Sequence, residues 1–222
     1  MSTAVQRKRS SNSKRARTRA RQERAKKSQR FFIGGTVLLV ALFGVAIAVT
    51  SSGNDSETDI AQTRSVSITG DALPSLTEED RAIGVQIPEV EGSSFEAEPL
   101  SIERNGIPKA IIFLAHWCPH CQNEVPVVQA WLEDGGMPAG IELVSVATST
   151  DRAQVNYPPS EWLDREGWSV PTIVDDARSS VATAYGVDGY PFFVFVDAEG
   201  NVHHRESGEL PIERIESILA EL

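Results

Sequence analysis

Apolar side chains are distributed in three regimes along the 222 residues. Residues 1–30 contain almost no large apolar side chain. Phe31–Thr50, FFIGGTVLLVALFGVAIAVT, is uncharged and almost wholly apolar. Beyond a polar stretch, short apolar runs alternate with turn-rich polar segments from about Ile83 to the end. That last pattern is that of a globular domain, and its periods predict an order of elements. Val85-Gln86-Ile87 and Ser94-Phe95-Glu96-Ala97 form a small hairpin. Lys109–Ala115 is a buried strand, and Pro119–Glu133 a helix interrupted at Pro126 and ended by Asp134-Gly135-Gly136. Ile141–Ala147 is a second core strand. Ser160–Glu166 is helical, Thr172–Val174 a short strand, and Arg178–Tyr185 a helix closed by Gly186. Phe192–Asp197 turns at Glu199-Gly200 into an antiparallel neighbour, Asn201–Glu206. Ile212–Leu222 is a last helix, apolar at Ile212, Ile215, Ile218 and Leu219. The order β-α-β-α, then β-β-α, implies an α/β fold with a central mixed sheet and helices on both faces.

Charge divides the chain more sharply than hydropathy does. Residues 1–30 hold 12 Lys/Arg and one Glu, a net +11, whereas residues 31–222 carry −21. The basic segment cannot bury a core and is expected to be a disordered tail. Its charge suits anionic lipid headgroups. With no interleaved aromatic it is not expected to bind nucleic acid.

At ~1.5 Å rise per residue, a helix over 31–50 spans ~30 Å, the thickness of a bilayer core. Arg24, Lys26, Lys27 and Arg30 precede it; Asp55, Glu57 and Asp59 follow. The positive-inside rule places the N-terminus in the cytoplasm and the acidic bulk outside. Ala46-Ile47-Ala48 would serve a cleaved signal peptide, but the long basic leader and long apolar run favour an uncleaved anchor. The expected organisation is therefore a tail over 1–30, a transmembrane helix over 31–50, a polar linker over 51–82, with a short helix capped by Thr77, and a folded domain over 83–222.

The candidate chemistry lies at Trp117-Cys118-Pro119-His120-Cys121. A strand leads into it and a helix leaves it, so Cys118 sits at a helix N-terminus, where unpaired N–H groups and the dipole favour a thiolate. Pro119 suits the first turn, which needs no N–H there. The two-residue spacer brings Cys121 within reach of Cys118, so one thiol can attack a disulfide and the other release it. A protonated or donating His120 would favour the Cys118 thiolate and make the disulfide more oxidising. These are the only two cysteines. A structural zinc site needs about four ligands, and a static disulfide usually closes a longer loop.

Residues ~83–222 resemble a thioredoxin-like domain, specifically the membrane-anchored, extracytoplasmic TlpA/ResA-like thiol–disulfide oxidoreductases. The resemblance rests on Trp117-Cys118-Pro119-His120-Cys121, on Cys121-Gln122-Asn123-Glu124-Val125-Pro126, on Gly189-Tyr190-Pro191-Phe192-Phe193 before a strand, and on Val196-Asp197-Ala198-Glu199-Gly200. It implies that Cys118 is the nucleophile, Cys121 the resolving thiol and Pro191 a cis-proline facing them. It further implies that Glu124 is a buried carboxylate relaying the Cys121 proton and that Trp117 shields the site. No organic cofactor is implied. The implied partners are exported protein thiols and disulfides and an unidentified membrane redox partner; a monomer in a bacterial-type cell membrane is expected. Ile112 stands where classical thioredoxins carry a buried Asp. The Pro-His spacer is that of the strongly oxidising DsbA proteins, so the direction of electron flow stays open. The alternative is a Sco-like copper-delivery module, with Cys118, Cys121 and one of His116, His120, His203 or His204 as ligands.

Overall fold

The computed structural model describes residues 62–222. The expected tail and transmembrane helix lie outside the described residues. Among those described, no helix is long and apolar enough to cross a membrane.

The sheet that positions the site grows outward from β4 (Lys109–Leu114), whose six residues are all buried. β5 (Glu142–Ala147) runs parallel on one side and β7 (Phe192–Val196) antiparallel on the other. β6 (Thr172–Val174) and β8 (Val202–Ser207) form the edges, giving the order β6-β5-β4-β7-β8. A continuous apolar run is what a central strand covered on both faces requires. Alternation along it separates two cores. Ala110, Ile112 and Leu114 of β4 pack with Phe193 and Phe195 of β7 under α1 (Pro119–Glu133), α2 (Pro159–Arg165) and α4 (Ile212–Leu219). Ile111 and Phe113, with Phe192 and Val194, face Val181 and Ala182 of α3 (Ser180–Ala184). This is the expected α/β, thioredoxin-like arrangement.

A second, antiparallel sheet, β1-β2-β3, comprises β1 (Ser67–Thr69), β2 (Glu89–Ser93) and β3 (Pro99–Ile102). The expected pairing of 85–87 with 94–97 does not form; the hairpin is made by β2 and β3 instead. Ser94-Phe95-Glu96-Ala97 is the turn, held by the Ser94 N–H on Glu98 O at 2.9 Å, and Gln86 makes only an isolated bridge to Asn201. The folded part also begins earlier than residue 83. Within the stretch assigned to a linker, β1 pairs with β2, Leu73 and Ala82 are buried in the core, and the Leu73 N–H bonds to Ala184 O at 2.8 Å. No helix forms around Thr77; Thr77 Oγ1 bonds locally to Glu79 O at 2.7 Å.

α1 runs unbroken through Pro126, correcting the expected interruption. Pro126 lies on the exposed side, where water can take the carbonyl left without its N–H. At the end of α3, Gly186 has φ +68°, and a Cβ there would collide with Pro74 O. Glycine is required at this helix end.

Candidate active site

β4 delivers the chain to Cys118, the N-cap of α1, in extended conformation with Pro119 as the first helical residue. The Cys118 N–H closes a turn on Ala115 O at 3.0 Å, and its carbonyl accepts the first helical bond from Gln122 N at 3.1 Å. Both thiols are free. Cys118 is 7% exposed and Cys121 fully buried. Burial pushes the Cys121 thiol far above its ordinary value; a backbone bond from Ala115 opposes this, and the nearby Cys118 and Glu124 add to it. The two sulfurs are thus inequivalent, with the outer one at the helix end.

The loop before β7 faces the outer sulfur. The Tyr190–Pro191 peptide is cis, and Cys118 Sγ–H donates to Tyr190 O at 3.3 Å. The Tyr190 ring stands edge-to-face against Trp117, centroids 6.0 Å apart and planes at 88°. Trp117 Nε1–H donates to Ser149 O at 2.7 Å, and the Tyr190 and Ser149 hydroxyls share a hydrogen bond at 2.7 Å. Trp117, Tyr190 and the loop after β5 therefore form one braced wall beside Cys118.

One helical turn past Cys121, Glu124 is buried at 4% exposure. Its carboxylate accepts the Leu210 N–H at 3.2 and 3.4 Å. Burial raises this carboxyl to about 7, against the Leu210 bond and with the help of the nearby Glu209 charge. It is one of the buried residues of α1, the helix that packs on the side of the sheet carrying Ile112, Cys118 and Cys121. His120 points elsewhere. Its side chain is 67% exposed and its Nδ1 lies 2.6 Å from Glu209 Oε1, which also accepts from Asn123 Nδ2 at 3.1 Å.

One part of the site was not assigned a role from sequence, and another was named only as a copper ligand. Glu209 is 89 residues from His120, and no local pattern marks it. His116 is buried at 1% exposure, with Nδ1 2.8 Å from Val155 O and Nε2 accepting the Asp151 N–H at 3.2 Å. A carbonyl only accepts and an amide only donates, so Nδ1 carries the proton and the ring is neutral. Burial lowers its pKa, consistent with that form. Both ring nitrogens are thus committed to the 151–155 loop.

The histidines of the copper reading are occupied too. His204 pairs with Glu206 at 2.9 Å and His203 with Glu221 at 3.4 Å. On β8 the residue facing Phe192 is Ser207, whereas His204 faces Phe195, ~10 Å further along the strand. Among the described residues, no group of three or more His, Cys, Asp or Glu side chains is placed to hold a metal ion.

Comparison with known proteins agrees with this geometry. The chain matches the Redoxin family over residues 68–221. It is 23% identical over 202 residues to the thiol-disulfide oxidoreductase ResA of Oceanobacillus iheyensis, covering 89% of this chain and 91% of that protein. It is 29% identical over 118 residues to nucleoredoxin of Bos taurus, covering 52% of this chain; the chain spans only 25% of nucleoredoxin's length. Among solved structures, StoA from Bacillus subtilis shares the fold, with a TM-score of 0.50 at 19% identity over 62% of this chain and 98% of StoA. Because the family match runs from within β1 to beyond α4, the chain belongs to the Redoxin family, on its TlpA/ResA-like thiol–disulfide oxidoreductase branch.

Proposed function

We propose that this protein is a membrane-tethered enzyme that exchanges disulfides with exported proteins through Cys118 and Cys121. The observation that carries the reading is the contact between Cys118 Sγ and Tyr190 O, immediately before cis-Pro191. It puts a thiol at a helix N-terminus against a short stretch of backbone with which an extended client segment can pair.

In the reducing direction, the Cys118 thiolate attacks one sulfur of a client disulfide. A mixed disulfide forms, and the second client sulfur leaves with the electron pair and takes up a proton. Cys121 then gives its proton to Glu124 and attacks Cys118 Sγ. The Cys118–Cys121 disulfide forms and the first client sulfur leaves as a thiolate, to be protonated. Two electrons and two protons pass from the dithiol to the client. Read backwards, the same steps oxidise a client dithiol. Burial of Cys121 and the neutral range of Glu124 fit a resolving thiol that ionises only when a base accepts its proton. Trp117 and Tyr190 wall the attack site. A dithiol or disulfide protein at the membrane resets the enzyme.

The apolar run 31–50, its basic leader and the acidic remainder support an uncleaved anchor with the dithiol domain outside the cytoplasm. Two experiments on the full chain test the proposal. Cys121→Ser should accumulate mixed disulfides with exported proteins, and their absence in nonreducing gels would sink the exchange reading. Protease added to intact spheroplasts should digest the domain; protection of the domain would overturn the topology.

A further inference from the structure

We infer that Glu209 is a positioning residue that holds the His120 imidazole and thereby keeps the dithiol couple less oxidising than a Pro-His spacer alone would make it. The inference rests on the reading of Cys118 and Cys121 as the working dithiol.

Glu209 lies in the short link between β8 and α4, and both of its neighbours are tied to the site. The Gly208 N–H bonds to Pro191 O at 2.8 Å, and the Leu210 N–H to the Glu124 carboxylate at 3.2 Å. Held from both sides, its side chain meets His120 and Asn123, three residues apart and so neighbours on one face of α1. The His120 Nδ1–Glu209 Oε1 distance of 2.6 Å is that of a charge-assisted bond. A carboxylate only accepts, so Nδ1 carries a proton, and its N–H is committed to Glu209 instead of the sulfur. Cys118 Sγ–H instead donates to Tyr190 O.

The consequence is electrostatic. A lone imidazolium two residues from Cys118 would stabilise the thiolate, hence the reduced form, and raise the oxidising power of the couple. Whenever the ring is protonated, the Glu209 carboxylate 2.6 Å from Nδ1 offsets part of its field at the sulfur. The groups facing His120 are Glu209 and Asn123, with Cys118 on its own helix end. Glu209 also acts on Glu124, whose carboxyl it helps to raise, so the test must separate the two routes.

The full chain in detergent, equilibrated with reduced and oxidised glutathione at pH 7, reads the couple directly. Glu209→Gln should increase the equilibrium constant for reduction of the Cys118–Cys121 disulfide roughly two- to fivefold, the scale of an exposed charge pair. In a His120→Ala background the same substitution should change it by less than about 1.5-fold, a small fraction of that scale. An unchanged constant in Glu209→Gln overturns the inference. So does a shift of equal size in both backgrounds, which would route the effect through Glu124. Turnover with a disulfide substrate, abolished in Cys118→Ala, isolates the underlying reading. If Cys118→Ala still exchanges, the proposed function falls, whereas an unmoved constant in Glu209→Gln with an inactive Cys118→Ala removes only the role of Glu209.

Discussion

The backbone N–H of Leu210 points between the two carboxylate oxygens of Glu124, 3.4 Å from Oε1 and 3.2 Å from Oε2. One shared donor does not replace the water a carboxylate loses on burial, so the acid holds its proton up to about 7. From an ordinary value of 4.5, this group binds more protons in the folded than in the unfolded chain between those two limits. Stability therefore falls as pH rises from about 4.5 to 7, and the loss is complete above that range. Glu124→Gln keeps an acceptor for Leu210 and removes the charge. Urea unfolding should show the variant more stable than the parent at pH 8, by on the order of 2 kcal/mol, and the difference vanishing near pH 4. An equal difference at both pH values would mean that packing, not ionisation, separates the two proteins.

Glu124 should also leave its mark on turnover. If, as proposed, it accepts the Cys121 proton, it does so only when ionised, so release of the mixed disulfide should accelerate as pH rises through about 7. Stopped-flow measurement of that step should show this limb in the parent enzyme. Glu124→Gln should be slower by roughly a hundredfold or more at pH 8 and lack the limb. An intact limb in the variant would assign the proton to another acceptor.

The two thiols should differ in reactivity. Cys121 is fully buried, and its environment resists ionisation, whereas Cys118 is the N-cap of α1 and retains 7% exposure. Brief treatment of the reduced protein with iodoacetamide at pH 8, followed by peptide mapping, should label Cys118 at least about tenfold faster than Cys121. Comparable labelling of the two would remove the distinction between attacking and resolving sulfur.

What the sequence disclosed is what short-range chemistry writes. α1 could be bounded at Pro119 and Glu133 because a proline that suits a first turn opens it and Asp134-Gly135 closes it. β7 could be seen in Phe192–Val196 because a strand covered on both faces has no polar residue to spare. Tyr190-Pro191 advertised its loop. The hairpin was misread because Phe95, an apolar residue between polar ones, imitates strand alternation, yet it sits in the turn. β1 was invisible because three residues gain their structure from pairing with β2, not from any pattern of their own. Glu209 beside His120 and Asp80 beside Arg205 are contacts between residues 89 and 125 positions apart. Only the folded chain brings these partners together.

The Asp80–Arg205 pair shows how much such a contact carries. Arg205 of β8 is 3% exposed, and its Nε lies 2.9 Å from Asp80 Oδ2 while Nη2 bonds to Oδ1. Nη1 donates to Pro74 O and Tyr185 O, each at 2.9 Å, and the guanidinium lies 5.9 Å from the centre of the Phe192 ring. One side chain thus fastens the 74–80 segment, the end of α3 and the strand that follows Pro191. Burial alone would raise the Asp80 carboxyl, but its bonds to Arg205 and the Ala82 N–H outweigh that and hold it below its ordinary value of 3.8. Its contribution to stability is therefore present above that value and lost as pH falls below it. Arg205→Met leaves the carboxylate and two carbonyls without their partner, and should cost roughly 3–5 kcal/mol in urea unfolding at pH 7. Asp80→Leu combined with Arg205→Met removes both charges, and should recover at least about half of that loss. If the double variant is as unstable as Arg205→Met, the two carbonyls rather than the stranded carboxylate account for the cost.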